Sequence, residues 1–202
     1  MKIKFIVVFA MLACFTLITP VVAHTSVTPT VKKTVDEVVR IVADKELKKS
    51  ANEKKRRKAL KTTIGAIFDY GEMTQRALGP HAKELSPAEK KEFTGLFETL
   101  LETTYANKIE SYNNEKVIYL SESVEDEYAE VKTKIVTAKK DEYSLNYRLM
   151  NKGGEWMVYD VVVEGVSLVS NYRSQFNKII NNQGVKELMK KLRNKNEGIK
   201  GV

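Results

Sequence analysis

The chain has 202 residues, 43% of them hydrophobic, which is enough for one domain with its own core. Its 34 basic and 26 acidic residues give a net charge of +8. A single cysteine, Cys14, excludes a scaffold held together by intramolecular disulfides. The composition is that of an ordinary globular domain with a basic surface.

Residues 1–23 have the pattern of a secretory signal peptide. Lys2 and Lys4 precede an apolar run over residues 5–18, and Ala23 is the expected cleavage site. Two alternatives stay open, a membrane anchor and lipidation at Cys14. Polar residues interrupt the run before it could span a bilayer, and the residues after Cys14 are still apolar. We therefore expect a periplasmic protein in which residues 24–202 form a single domain.

Export also limits the binding partners that the positive charge could attract. Loss of Lys2 and Lys4 reduces the net charge from +8 to +6. In a cytosolic protein this charge would suggest nucleic acid, whereas in an exported one it favours anionic lipid head groups or acidic proteins. The densest basic run is either a solvated helix face or a docking surface, and consists of Lys54, Lys55, Arg56, Arg57 and Lys58.

The first part of the mature chain is predicted to be helical. After a flexible segment at residues 24–30, apolar residues recur at helical spacing over residues 31–42. A second helix starts near Asn52 and ends indistinctly around Gly71, and a short third helix covers residues 72–78 before a Gly-Pro pair.

The strongest helix signal is Ser86-Pro87-Ala88-Glu89, which combines an N-cap serine, proline at the first position and a capping-box glutamate. The helix it opens should run to about Tyr112, or ~40 Å. A mainly apolar stripe follows its length, made of Phe93, Leu96, Phe97, Leu100, Leu101, Thr104 and Tyr105.

The apolar period then changes to that of strands. A short strand is predicted over residues 117–120, alternating segments over 128–137 and 143–149, a Gly-Gly hairpin turn at 151–154, and a last strand over 156–164. We therefore predict an α+β fold in which an antiparallel meander of about four strands carries amphipathic helices on one face.

The last strand leads directly into a helix. Gly165 ends the strand and Ser167 is placed to cap the helix that follows. Asp160 and Glu164, four residues apart, could act as a general acid and base, but we favour hydrogen bonds that orient this turn. A short closing helix ends near Leu192, before a polar tail that we expect to be disordered.

The sequence contains little catalytic chemistry. His24 and His81 have no metal-ligand spacing, and motifs for a serine nucleophile, a phosphate loop or a dinucleotide are absent from the sequence. We predict no catalytic residue, no metal site and no cofactor.

Two blocks of sequence resemble a known family. The first is DVVVEGVSL at residues 160–168, followed by a helix and a KxLxxKL tail, and the second is FDYGEM at residues 68–73, with Leu78-Gly79 and residues 86–89 at matching spacing. In both, the chain is similar to the MlaC, or toluene-tolerance, family of periplasmic phospholipid-binding proteins. One departure is Ala82, where family members commonly have tryptophan.

The resemblance implies a function. Such proteins hold a phospholipid, as cargo and not as a cofactor, in an elongated apolar cavity between sheet and helices. They carry it between an inner-membrane ABC transporter complex, through its MCE-domain protein, and an outer-membrane lipoprotein–porin complex. We expect a monomer that is not an enzyme. The lipid-lining role falls on Phe68, Met73, Leu78, Phe97, Leu101, Tyr105, Trp156, Val158, Val162, Val166, Leu168, Val169 and Tyr172.

Other functions stay open at this point. Each of these residues could equally be part of an ordinary core, because alternation defines a face of a strand and not a cavity. The protein could then be an envelope adaptor with a closed core, a carrier of a polycyclic, hopanoid-like lipid, or an enzyme that acts on lipids. The missing nucleophile argues against the last.

Overall fold

The computed structural model describes residues 26–112 and 114–200, with side chains as far as residue 197. The predicted signal peptide, its cleavage site, Cys14 and His24 lie outside this part of the chain. The described residues form six helices, namely α1 Thr28–Ala43, α2 Glu53–Gly65, α3 Tyr70–Leu78, α4 Pro87–Glu110, α5 Leu168–Gln183 and α6 Val185–Lys200. Short 3-10 helices cover Ser50–Asn52 and Gly79–Glu84.

The strands of the described residues form one antiparallel sheet in the order β1-β2-β3-β4-β5. Their bounds are β1 Lys116–Glu125, β2 Tyr128–Val136, β3 Glu142–Lys152, β4 Glu155–Val163 and β5 Val166–Ser167. The predicted α+β class and meander are confirmed. The fifth strand arises because the chain turns at Glu164 and Gly165, whose φ angles are +49° and +78°, so that Val166 pairs with Val163.

The strand β1 is longer than the sequence indicated. The predicted strand covered only the four consecutive apolar residues 117–120, but pairing with β2 runs from Lys116 to Glu125 through an irregularity between Tyr119 and Ser121. The sequence pattern predicted only the apolar first half of this strand, because the mostly polar residues after Leu120 have no strand periodicity.

One face of the sheet is covered by α1. Residues directly opposite each other on paired strands share a face, so Ala129, Val131, Tyr147 and Leu149 lie on the same side, which we call the inner face. Val27 and Val31 of the α1 segment are fully buried against it. Exposed Lys132 lies on the opposite face.

The start of α1 corrects the expected flexible segment at residues 24–30, because residues from Thr28 onward are helical. Glu122 of β1 accepts hydrogen bonds at one carboxylate oxygen from the Val27 amide at 2.9 Å and the Thr28 hydroxyl at 2.6 Å. The amide of Thr28 and the hydroxyl of Ser26 donate to the same oxygen. The acceptor lies 94 residues along the chain from Thr28, so local sequence gave no sign of it.

The helix α2 ends at Gly65 rather than around Gly71. The chain after it pairs with β4: the Asp69 amide donates to the Val158 carbonyl at 2.9 Å, and the Val158 amide donates to the Ile67 carbonyl at 2.7 Å. Phe68 thereby forms a parallel bridge with Val158, and Asp69 caps α3.

The other helix ends agree with local signals, with one exception. The Ser86–Glu89 capping box opens α4 and Ser167 caps α5, both as predicted. The exception is the closing helix, which continues to Lys200 where we expected a disordered tail. Asn196 is buried in this extension, and its side-chain amide donates to the Leu96 carbonyl at 3.0 Å.

Candidate functional site

The hydrophobic interior is divided into two main clusters. The first, the helical cluster, joins α3, α4, α5 and α6 around Phe93, Phe97, Tyr172 and Phe176. The ring centroids of Phe97 and Tyr172 are 5.1 Å apart, in an edge-to-face arrangement. The long helix α4 packs chiefly on α3 and α6. The amphipathic helices were predicted to pack on the sheet, whereas most of the apolar stripe of α4 contacts other helices.

The second cluster, the sheet cluster, lies between α1 and the inner face. Its fully buried members include Val31, Val131, Leu149 and Val158. Phe68 packs against both clusters, because its bridge to Val158 places it where α3 leaves the edge of β4. The two halves of the interior therefore meet at Phe68.

The predicted lining residues divide between these clusters. Met73, Leu78, Phe97, Leu101, Tyr105, Val169 and Tyr172 belong to the helical cluster or pack against it. Trp156, Val158 and Leu168 belong to the sheet cluster or pack against it. Burial, and then the neighbouring Tyr172, raise the pKa of the Tyr105 phenol to about 12.

Two predicted lining residues are placed differently. Val162 is buried but pairs with Asn146 and Ser167, on the face opposite its neighbour Val161. Val166 is 57% exposed on the short edge strand β5. Successive residues of a strand point to opposite faces, so the three consecutive valines of β4 are divided between the two faces of the sheet.

Part of the inner face is apolar and only partly covered. The register places six residues on this face at the end of the sheet away from the α1 N-terminus, which we call the apolar strip: Val117, Ile135, Tyr143, Leu145, Val163 and Val166. Tyr143, Val163 and Val166 are 46%, 36% and 57% exposed. Contiguous exposed apolar surface, unlike single exposed apolar residues, is typical of a site of interaction.

A groove of about 670 Å³ opens at the other end of the sheet. Ser26 and Thr30 of the α1 segment form one side, and the hairpin between β3 and β4 forms another. Its apolar floor includes Ile67, Trp156 and Met157, while Asp126 and Glu155 bring two carboxylates to it. We call it the acidic groove. Sequence reasoning found only Trp156, since the other residues come from distant segments.

The carboxylates of the strand-to-helix turn have structural roles. Asp160 is buried, and accepts hydrogen bonds from the Ser167 hydroxyl at 2.6 Å and the Val169 amide at 3.0 Å. Glu164 lies in the turn after β4 and accepts from the Ser144 amide. The favoured interpretation, that both orient the turn, is confirmed. They do not form the same-face pair on one strand that general acid–base chemistry would use.

The residues of the basic run differ in their contacts and exposure. Arg56 forms an ion pair with Glu110 of α4 at 3.2 Å and donates to the Leu47 carbonyl at 2.8 Å. Its side chain is only 13% exposed, so Arg56 is not available for docking as the sequence had suggested. Arg57 is half-exposed and also pairs with Glu110. Lys54, Lys55 and Lys58 are exposed on α2.

The remaining polar candidates carry no recognisable chemistry. His81 contacts Glu84 at 2.5 Å. Within residues 26–112 and 114–200, no group of three or more His, Cys, Asp or Glu side chains could hold a metal ion. Ala82 is buried in the helical cluster. Across the same ranges, no helix combines the length and apolar character needed to cross a bilayer.

The geometry defines a class of protein: an α+β domain whose open antiparallel meander and helices enclose a divided apolar interior. The MlaC family model matches residues 32–194. The chain belongs to the MlaC family, which confirms the resemblance seen in the two sequence blocks.

Two relatives with known roles are similar in sequence to this chain. The chain is 31% identical over 122 residues to the intermembrane phospholipid transport system binding protein MlaC of Haemophilus influenzae, over 58% of this chain and 57% of that protein. It is 27% identical over 120 residues to the toluene tolerance protein ttg2D of Pseudomonas putida, over 58% of this chain and 56% of that protein. The matches thus span a little over half of each relative.

A solved structure is similar over nearly its whole length. The phospholipid-binding protein from Ralstonia solanacearum, determined in complex with a phospholipid, superposes with a TM-score of 0.79 at 26% identity. The superposition covers 87% of this chain and 99% of that protein.

Proposed function

We propose that this protein binds a phospholipid and carries it through the periplasm. The observation that carries the proposal is the divided interior, in which the helical and sheet clusters meet at Phe68 and the apolar strip is partly exposed. Membership of the MlaC family and the similar Ralstonia protein, which holds a phospholipid, support the same ligand. The predicted lining residues lie on both sides of this division and are the proposed contacts of the acyl chains.

A phospholipid cannot cross the periplasm without a protein that shields its acyl chains from water. Each methylene of an acyl chain gains about 0.8 kcal/mol when it leaves water for an apolar environment. A lipid with two long chains therefore leaves a bilayer only when another apolar surface replaces it. Separation of the two clusters where they meet, at Phe68, would open a path from solvent to the apolar side chains of both.

The wider route is part of the same proposal. The chain would be exported, cleaved after Ala23 and act as a periplasmic monomer. It would move lipid between the MCE-domain protein of an inner-membrane ABC transporter and an outer-membrane lipoprotein–porin complex. Lys54, Lys55 and Lys58 are the residues of the basic run best placed to meet acidic surfaces of these partners, because they remain exposed.

Lipid analysis of the purified mature protein tests the proposal. Extraction into organic solvent followed by mass spectrometry should recover phospholipid, and the delipidated protein should take up labelled phospholipid from vesicles. Recovery of a polycyclic lipid would favour the hopanoid-like cargo. A protein that neither contains nor takes up lipid would favour the envelope adaptor, and turnover of labelled phospholipid would favour the enzyme.

A further inference from the structure

We infer that the phospholipid enters and leaves the protein at the apolar strip, with its phosphate among the lysines at that end of the sheet. This inference rests on the proposed function and adds the site of entry. It involves residues that the sequence analysis did not select, apart from Val166.

The strip is continuous across the sheet. Val117 is opposite Ile135, which is opposite Tyr143, so that one row crosses β1, β2 and β3. In the next row, Leu145 is opposite Val163, which is opposite Val166. All six side chains share the inner face, and together they would offer acyl chains an apolar path several residues wide.

The strip is also connected to the interior. Leu145 and Leu168 pack against the sheet cluster, and Val166 precedes Leu168 by two residues. An acyl chain that lay on the strip would therefore reach the sheet cluster without crossing a polar surface. Continuity of this kind distinguishes an opening from a scattered exposed residue.

The end of the molecule that bears the strip has more basic than acidic residues, although exposed Asp141, Glu142 and Glu164 also lie there. Glu110, near the end of α4, pairs with Arg56, and β1 begins six residues after Glu110. The segment of residues 40–58, which contains nine basic and three acidic residues, is thus held near the beginning of β1. Lys116 opens β1, and Lys139 and Lys140 lie in the turn that joins β2 to β3. A phosphate is attracted to such surroundings.

The acidic groove is a poorer opening for this ligand. Asp126 and Glu155 line it, and exposed Glu125 and Glu127 flank Asp126. A phosphate at that end would meet four exposed carboxylates, which repel it. Because every phospholipid carries a phosphate, charge favours the strip over the groove.

Paired substitutions of exposed residues test the inference with little risk to folding. Tyr143→Asn with Val166→Asn makes the strip polar, and Ile118→Asn is the matched control. Ile118 is 44% exposed and pairs with Lys134, which places it on the opposite face at the same end of the sheet. We expect the double variant to bind fluorescent phosphatidylglycerol about tenfold more weakly, as expected from the loss of two apolar contacts. The control should change by less than about twofold, since exposed substitutions away from a site have small effects.

A second pair tests the charge. Lys139→Glu with Lys140→Glu should slow uptake from phosphatidylglycerol vesicles at low salt, whereas Asp126→Asn with Glu155→Gln should not. Thermal melts of all variants exclude unfolding as the cause.

The outcomes are distinguishable. If the wild-type protein takes up no lipid, the proposed function is wrong. If it does, and the strip variant binds like the Ile118 control, the inference is overturned. The inference is also overturned if the groove variants alone alter uptake, or if the strip variants affect only association with a protein partner.

Discussion

Phe68 and Val158 form a parallel bridge that attaches the helical half of the protein to the edge of β4. Backbone hydrogen bonds of 2.9 and 2.7 Å hold the pairing, and the Phe68 ring packs against both hydrophobic clusters. A Phe68→Ala change should lower the free energy of unfolding by about 2–3 kcal/mol, somewhat less than for a fully buried phenylalanine. Urea denaturation measures this, and a loss below about 0.5 kcal/mol would mean that the ring does not connect the clusters.

Asp160 should be important for stability and Glu164 much less so. Asp160→Asn weakens a buried acceptor of the Ser167 hydroxyl and the Val169 amide, so we expect a loss of about 1–3 kcal/mol. Glu164→Gln, in the exposed turn of the same block, is the control and should cost less than about 0.5 kcal/mol. Equal losses in the two variants would mean that the burial of Asp160 does not make its hydrogen bonds more stabilising than those of exposed Glu164.

Glu122 should make stability depend on pH in the acidic range. Burial tends to raise the pKa of its carboxyl, but hydrogen bonds from Thr28, Ser26 and Val27 outweigh burial and lower it. A carboxyl whose pKa is lower in the folded than in the unfolded chain stabilises the fold above the unfolded value. This stabilisation is lost as the pH falls through the folded value.

The corresponding experiment compares the wild type with Glu122→Gln between about pH 2 and 7. The difference in free energy of unfolding should be constant near neutral pH and decrease below about pH 4.5. Glu125→Gln, at the exposed end of the same strand, is the matched control. A difference that grew toward acid pH would contradict the sign of the pKa shift.

The basic run should separate into structural and docking residues. Arg56→Ala removes the largely buried partner of Glu110 and should destabilise the protein by about 1–3 kcal/mol. Lys55→Glu with Lys58→Glu should leave the melting temperature unchanged but slow lipid transfer to the partner complexes, most at low salt. The salt dependence follows because charges on exposed side chains are screened beyond ~8 Å at 0.15 M. If the variant transfers lipid as fast as the wild type at low and at physiological salt, these lysines form a solvated face only.

The sequence predicted those features whose causes are local. Ser86 and Ser167 cap helices through contacts three residues away, and the Gly153-Gly154 turn joins strands by its own backbone preference. The contacts that sequence reasoning missed join distant segments. Glu122 reaches the start of α1, and the chain after α2 pairs with β4, neither of which leaves a periodic pattern.

The candidate site was predictable only in part, for the same reason. Apolar alternation selected residues that are mostly buried, but could not tell which hydrophobic cluster each would join. It selected Val166 and omitted Tyr143 and Leu145, although the sheet register brings all three to the apolar strip. The register between neighbouring strands depends on the turns that join them, so it cannot be predicted from the sequence of one strand.

Native mass spectrometry of the mature protein decides whether the divided interior holds a phospholipid. We expect a species heavier than the chain by the mass of one phospholipid, its loss on delipidation, and its return on incubation with vesicles. A single species at the mass of the bare chain, before and after incubation, would contradict this expectation.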